Sequence, residues 1–239
     1  MKKLVSFVFL LVCTFHSFAQ KQLVVDADAE MRVITGSFDA ISVSDAIIVY
    51  LSQSDKEEVA VSAKKEKFRN KIKTEVKDNK LKIYYESENG ISFKDKKLVV
   101  YVSFKSLKKI EASGSSGIIV AGTIKVPDLE LALSGSSDFK GTVSLNSLSL
   151  DLSGSSDVAI NGNATTLVIE SSGASDVDGF GLSTEICTAS ASGASDIHVS
   201  VSKELNASAT GSSEILYKGE AVIKAMNTSG ASTVSRKEG

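Results

Sequence analysis

Through the second half of the chain, apolar and polar side chains alternate in short runs, and each run stops at the same kind of break. Leu129, Leu131 and Leu133 alternate with polar neighbours, as do Leu148, Leu150 and Leu152, and then Leu167, Ile169 and Ser171. A period of two with one apolar face predicts β-strands half buried against a core. The breaks spell ASGSSGI at 112–118, LSGSSDF at 133–139, LSGSSDV at 152–158, SSGASDV at 171–177, ASGASDI at 191–197, ATGSSEI at 209–215 and TSGASTV at 228–234. Each contains one glycine, the residue that enters positive φ without steric cost, among hydroxyl side chains suited to a turn.

The glycines, Gly114, Gly135, Gly154, Gly173, Gly193, Gly211 and Gly230, are spaced by 21, 19, 19, 20, 18 and 19 residues. That period matches one coil of a solenoid. Aligned on the glycine, the copies form columns: Ser116, Ser137, Ser156, Ser175, Ser195, Ser213 and Ser232 two residues later, and Ile118, Phe139, Val158, Val177, Ile197, Ile215 and Val234 four residues later. The leucine-rich L-x-x-L-x-L-x-x-N pattern is absent, the G-G-x-G-x-D calcium roll has half this period, and no long 3.6-residue apolar stripe is present. An all-β parallel β-helix with about 19–20 residues per coil is expected over 112–239. Upstream, FDAISV, AIIVYL, EVAVSA, KIKTEV, KLKIYY, KLVVYVSF and LKKIEA also predict strands. With Pro127 as the one proline and no linker composition, 33–239 is expected to be a single domain, 33–111 forming irregular coils or a cap. VSDAIIV at 43–49 echoes the turn chemistry of the repeats.

Ahead of this body, Met1-Lys2-Lys3, the apolar run at 4–12 and Ser17-Phe18-Ala19 read as a signal peptide over 1–19, followed by a lead at 20–32. Cys13 does not read as a lipidation site, because Val12 stands where a small residue is required. Export leaves Cys187 as the one cysteine and excludes an internal disulfide. Cys187 falls in the column of Leu129, Leu148, Leu167 and Leu205, so it reads as a small core residue.

Charge divides the chain. Residues 55–111 hold 16 Lys and Arg against 10 Asp and Glu, whereas 112–239 hold 7 against 14. The basic run KKEKFRNKIKTEVKDNKLKIYY invites a polyanion reading, but Lys71, Lys73, Lys80 and Lys82 alternate with Ile72, Val76, Leu81 and Ile83 as the solvent face of strands. Nucleic acid is not expected as a partner, and no transmembrane segment is expected.

The opening FDAISVSDAIIVYL, the strand NKLKIYY, the transition LKKIEASGSSGI and the repeated SGSSD phrase together resemble the bacterial exported family known as putative auto-transporter adhesin, head GIN domain, over roughly residues 33–238. The resemblance implies a right-handed parallel β-helix of pectate-lyase-like architecture in the cell envelope. It supplies no catalytic residues.

One column carries charge. Three residues after the glycine stand Asp138, Asp157, Asp176, Asp196 and Glu214, closed by Gly117 and Thr233 at the two ends. Stacked coils would set these carboxylates about 5 Å apart, where a like pair in bulk water costs on the order of 1 kcal/mol. Two readings compete: a row of Ca²⁺ sites completed by the neighbouring hydroxyls, or Asp and Ser side chains capping the turns, which the residue types favour. Catalysis is not expected. After export His198 is the one histidine, the arginines are Arg32, Arg69 and Arg236, tryptophan is absent, and carboxylates related by a repeat lack the unlike environments that acid and base require. The sequence therefore reads as a non-catalytic exported scaffold, in the periplasm or at the surface, that binds a glycan or other cell-surface ligand without a cofactor. A polysaccharide lyase or hydrolase on the same fold is the alternative.

Overall fold

The computed structural model describes residues 25–86 and 96–238. The signal segment at 1–19, with Cys13 and His16, lies outside them. The described residues form strands with a single four-residue helix, Glu66–Arg69, and wind a β-helix of about seven turns.

Four long strands, Asp138–Leu152, Asp157–Ser171, Asp176–Ala191 and Asp196–Gly211, each make almost a whole coil. They pair in parallel with the coil before and after, Leu148 beside Leu167 beside Cys187 beside Leu205. Inside the coils Asp138–Leu152 and Asp157–Ser171 the alternation changes phase once. In Asp138–Leu152, Phe139, Val143 and Leu145 point inward, Asn146 and Ser147 both face out, and Leu148, Leu150 and Leu152 resume the inward face. Two outward residues in succession turn a corner, so one strand lines two walls of the same core. The amides of Asn146 and Ser147 both reach the carbonyl of Pro127, the corner of the coil below, at 2.8 and 3.1 Å.

The second corner is the repeated phrase. Gly154 has φ +81°, and Ser156, wholly buried, turns its hydroxyl back to donate to the carbonyl of Ser153 at 3.0 Å. The amides of Ser153, Ser155 and Asp157 bond the carbonyls of Leu133, Gly135 and Ser137 in the coil beneath, and the Ser156 amide donates to the Ser175 hydroxyl of the coil above at 3.2 Å. Every turn thus stacks on a copy of itself. A Cβ placed on Gly154 would lie 2.5 Å from the Gly135 oxygen, so the glycine is required by its neighbour as well as by its φ.

The first half departs from sequential winding. Strand Ala40–Val43 lies between Lys80–Tyr85 and Lys109–Ala112, and Ile48–Gln53 lies between Val99–Phe104 and Gly117–Lys125. The first coil in the chain is therefore the second in space. Past Gln53 the chain leaves the stack to form strand Glu58–Ser62, the helix and strand Ile72–Lys77. It re-enters underneath through the antiparallel pairing of Ile72–Lys77 with Lys80–Tyr85. Glu58–Ser62 pairs antiparallel with Val99–Phe104 and with Glu30–Arg32, covering that edge. Covered edges stop a solenoid from growing by strand addition. The basic run proves to be the solvent face of this cap: Ile72, Leu81 and Ile83 are buried, while Lys73 and Lys80 meet Glu86 and Glu111 at 2.9 and 2.7 Å.

One continuous core runs from Phe38 to Ile215. Its leucines give way to smaller side chains along the stack: Leu131, Leu150 and Ile169 are followed by Ala189 and Ala207 in register, all buried.

Candidate functional site

The acidic column is a true ladder. Asp138 is in register with Asp157, Asp157 with Asp176, Asp176 with Asp196 and Asp196 with Glu214, and Gly117 and Thr233 flank the row as expected. Each acid opens the strand after the turn on the outward face, with Asp138, Asp157 and Asp176 exposed and Asp196 and Glu214 half-buried. Partial burial, reinforced by the charges of Asp176 and Asp138 on either side, holds the Asp157 carboxyl above the usual range, and the Asp176 backbone amide opposes this.

Capping belongs to the serines. Ser116, Ser137, Ser156, Ser175, Ser195, Ser213 and Ser232 all donate to the carbonyl three residues earlier, at 2.8 to 3.1 Å. The neighbouring coil occupies the amides that a carboxylate would have capped. The row therefore projects as a charged edge in which the Asp157 carboxyl still shares the Asp176 amide. Among the described residues no three His, Cys, Asp or Glu side chains come together as a metal cluster.

Cys187 sits in the core column at zero exposure, and burial pushes its thiol up to about 12. At that position the thiolate needed for reactivity is scarce at neutral pH. His198 faces outward between the buried Ile197 and Val199, and its ring stacks on Phe180 with centroids 4.7 Å apart and planes 5° from parallel.

Phe180 draws together side chains from separate coils. The register between Asp176–Ala191 and Asp196–Gly211 jumps between Gly179 and Ser183, and this irregularity carries Phe180 outward. The amines of Lys218 and Lys237 lie 4.6 and 4.8 Å from its ring centroid, and Ser200 donates to its carbonyl at 2.8 Å. Periodicity could not reveal this cluster, since it forms where the repeat is interrupted. The available signal was Gly179-Phe180-Gly181, two glycines around an aromatic in an otherwise regular strand.

At the other end a shallow groove of about 360 Å³ is lined by Arg32, Val33, Asn70, Ile72, Lys73 and Thr74. Arg32 of the groove and Arg69 of the helix are both engaged with Glu30: Arg69 Nε lies 3.0 Å from one carboxylate oxygen, and Arg32 meets the other. Among the described residues no helix is long and apolar enough to cross a membrane.

A parallel β-helix with a repeated Ser-Gly-Ser-Ser-Asp turn defines a class of stacked-coil domain, and the sequence places the chain within one family of that class. Residues 37–221 match the family model described as putative auto-transporter adhesin, head GIN domain, and the chain belongs to that family. Among solved structures it is similar to a putative adhesin from Bacteroides fragilis, at 21% identity and TM-score 0.79, covering 89% of this chain and 98% of that one. It is similar as well to a putative lipid binding protein from Parabacteroides distasonis, at 21% identity and TM-score 0.66 with the same coverage. A putative adhesin from Parabacteroides merdae follows at 17% identity and TM-score 0.62, covering 89% and 98%. At these identities the likeness establishes the fold. No curated protein matches the sequence.

Proposed function

We propose that this protein is an exported, non-catalytic module of the bacterial cell envelope that binds a surface ligand, a glycan in the first instance, and so contributes to adhesion. The observation that carries the reading is the ladder itself. Parallel coils in register present the same hydroxyl and carboxylate groups at a constant strand spacing of about 5 Å, a surface suited to extended, repetitive ligands. Membership of a family described as adhesin supports the same direction.

The arrangement of acids favours binding over hydrolysis. Glycoside hydrolysis needs one carboxyl held protonated and another ionised in unlike surroundings. Here the acids are stacked equivalents, and the shift at Asp157 comes from partial burial and its neighbours in the row.

The test is a glycan array probed with the purified chain in millimolar Ca²⁺ and again in chelator, alongside protease shaving of intact cells. Retention of a defined set of glycans, with loss of the protein from shaved cells, is the expected result. Turnover of any arrayed glycan, or a protein found only in the cytoplasm, would overturn the proposal.

A further inference from the structure

We infer that the cluster around Phe180 is a binding site for an oxyanion carried by an acidic glycan, a carboxylate or a sulfate, gripped by Lys218 and Lys237 beside the Phe180–His198 stack. The inference rests on the envelope-binding reading and gives it a ligand class and a location.

The geometry starts from charge. The repeats hold seven Lys and Arg against fourteen Asp and Glu, so a cation here is expected to find a carboxylate. Lys203, Lys224 and Arg236 do so, with Glu185, Glu204 and Glu220. Lys125, Lys140, Lys218 and Lys237 do not among the described residues, and what sets the last two apart is where their amines go. Both amines instead gather within 5 Å of one ring centroid. An aromatic ring attracts ammonium groups through its quadrupole but carries no net charge, so two like charges are held together without being neutralised. Such an arrangement is most favourable with an anion between or beside the amines, where charge-assisted hydrogen bonds form.

The coils explain why the site exists only here. Lys218 stands in register above Ser200, whose hydroxyl is tied to the Phe180 carbonyl, and a small side chain at that step lets the lysine reach the ring. Lys237 is anchored by its amide to the Tyr217 carbonyl at 2.8 Å, one coil further on. The His198 imidazole extends the apolar surface of the ring. Asp178, in register with His198, is the acidic neighbour, and it limits the site to ligands that present their charge on the lysine side.

A glycan fits better than a membrane. An anionic bilayer meets a broad face of the protein, and the surrounding repeats carry an excess of seven negative charges that would oppose it. An acidic glycan can place one substituent in a small cationic site while its other charges stay in solvent, screened by salt from the acidic repeats.

The experiment is a calorimetric titration of the full chain and three variants with hexagalacturonate, dextran sulfate, neutral dextran, and vesicles of mixed phosphatidylglycerol and phosphatidylcholine. The parent is expected to bind one of the two acidic glycans in a salt-sensitive manner and to ignore dextran. The double variant Lys218→Gln, Lys237→Gln should bind at least roughly ten-fold more weakly, the scale of losing a charge-assisted contact. Phe180→Ala, which frees the lysines, should weaken binding several-fold, whereas Lys224→Gln, outside the cluster, should leave it unchanged. Equal affinity of parent and double variant overturns the site, as does equal binding to dextran. Vesicle binding in place of glycan binding, lost in the double variant, overturns the glycan assignment. Array hits on neutral glycans that the double variant retains would leave the envelope-binding reading standing and remove this site, whereas silence in both array and titration removes both.

Discussion

Two turns at equivalent register positions differ in what turns left-handed, Asp45 followed by Ala46 in the first coil and a lone glycine in each repeat, and the reason lies in what each rests on. At the turn of the first coil, Asp45 holds φ +66° in the position that Gly114 takes in the coil above, its neighbours Val43 and Ile48 being in register with Ala112 and Gly117. Gly154, within the repeats, holds φ +81°. Both are left-handed, yet one carries a side chain. Beneath Gly154 lies another turn, whose glycine oxygen would meet a Cβ at 2.5 Å. Beneath Asp45 the chain runs through the strand Lys80–Tyr85, and the carboxylate accepts the Tyr85 amide at 3.2 Å and the Ser44 hydroxyl at 2.7 Å. The glycine column is thus a requirement of self-stacking more than of backbone conformation.

The largest effect should come from breaking that stacking. Gly154→Ala combines a left-handed Cβ with a backbone clash and should lose about 3–5 kcal/mol, seen as a fall of roughly 10 °C in thermal midpoint for a chain of this size. Gly122 provides the control, since its φ is +92° but no atom lies within 4 Å of the point a Cβ would occupy. Gly122→Ala should lose only about 1–2 kcal/mol. Equal losses at the two sites would show that conformation, not stacking, fixes the glycines.

Next in size is Asp45. Asp45→Ala keeps the strained φ and removes the carboxylate that receives Tyr85, so it should cost about 1–3 kcal/mol. Asp45→Gly relieves the φ while losing the same acceptor and should stay within about 1 kcal/mol of the parent. Denaturant midpoints of the two variants measure the difference, and a glycine variant worse than the alanine variant would contradict the comparison.

The smallest effect concerns the acidic ladder. Asp157→Asn with Asp176→Asn removes two repelling charges, so stability should hold or rise by up to about 1 kcal/mol at low salt. The sign follows from Asp157, whose carboxyl is raised in the folded chain: its ionised form disfavours the native state, a penalty present above the folded value and relieved as pH falls through the carboxylate range. Neither the parent's melt nor the variant's should change between millimolar Ca²⁺ and chelator. A calcium-dependent rise in the parent that disappears in the variant would make the row a cation site.

What could be read from the sequence was whatever repeats. The inward columns, the phase of Cys187 and the register of the acids all follow from a period near 19, because each coil repeats the same environment. Even the echo at 43–49 was legible, since its turn occupies a repeat position. The spatial order of the early coils was not, because Ala40–Val43 pairs with strands 40 and 69 residues further on and no local pattern encodes such partners. Assigning the caps between Ser and Asp required geometry, as both residue types accept and orient hydrogen bonds at turns. The Phe180 cluster escaped because its members come from four successive coils and meet at a break in the period.

The displaced first coil has a kinetic consequence. In the repeats each strand finds its partner 17 to 21 residues away, so winding can proceed by short-range closure from any completed coil. Ala40–Val43 must instead wait for Lys109–Ala112, a loop more than three times longer, which adds about 1 kcal/mol to closure entropy. It must also be in place between two flanking strands before the cap can close. Although this segment leaves the ribosome well ahead of the repeats, it is set to be among the last to lock, and the regular coils serve as the template on which the earlier residues finish folding.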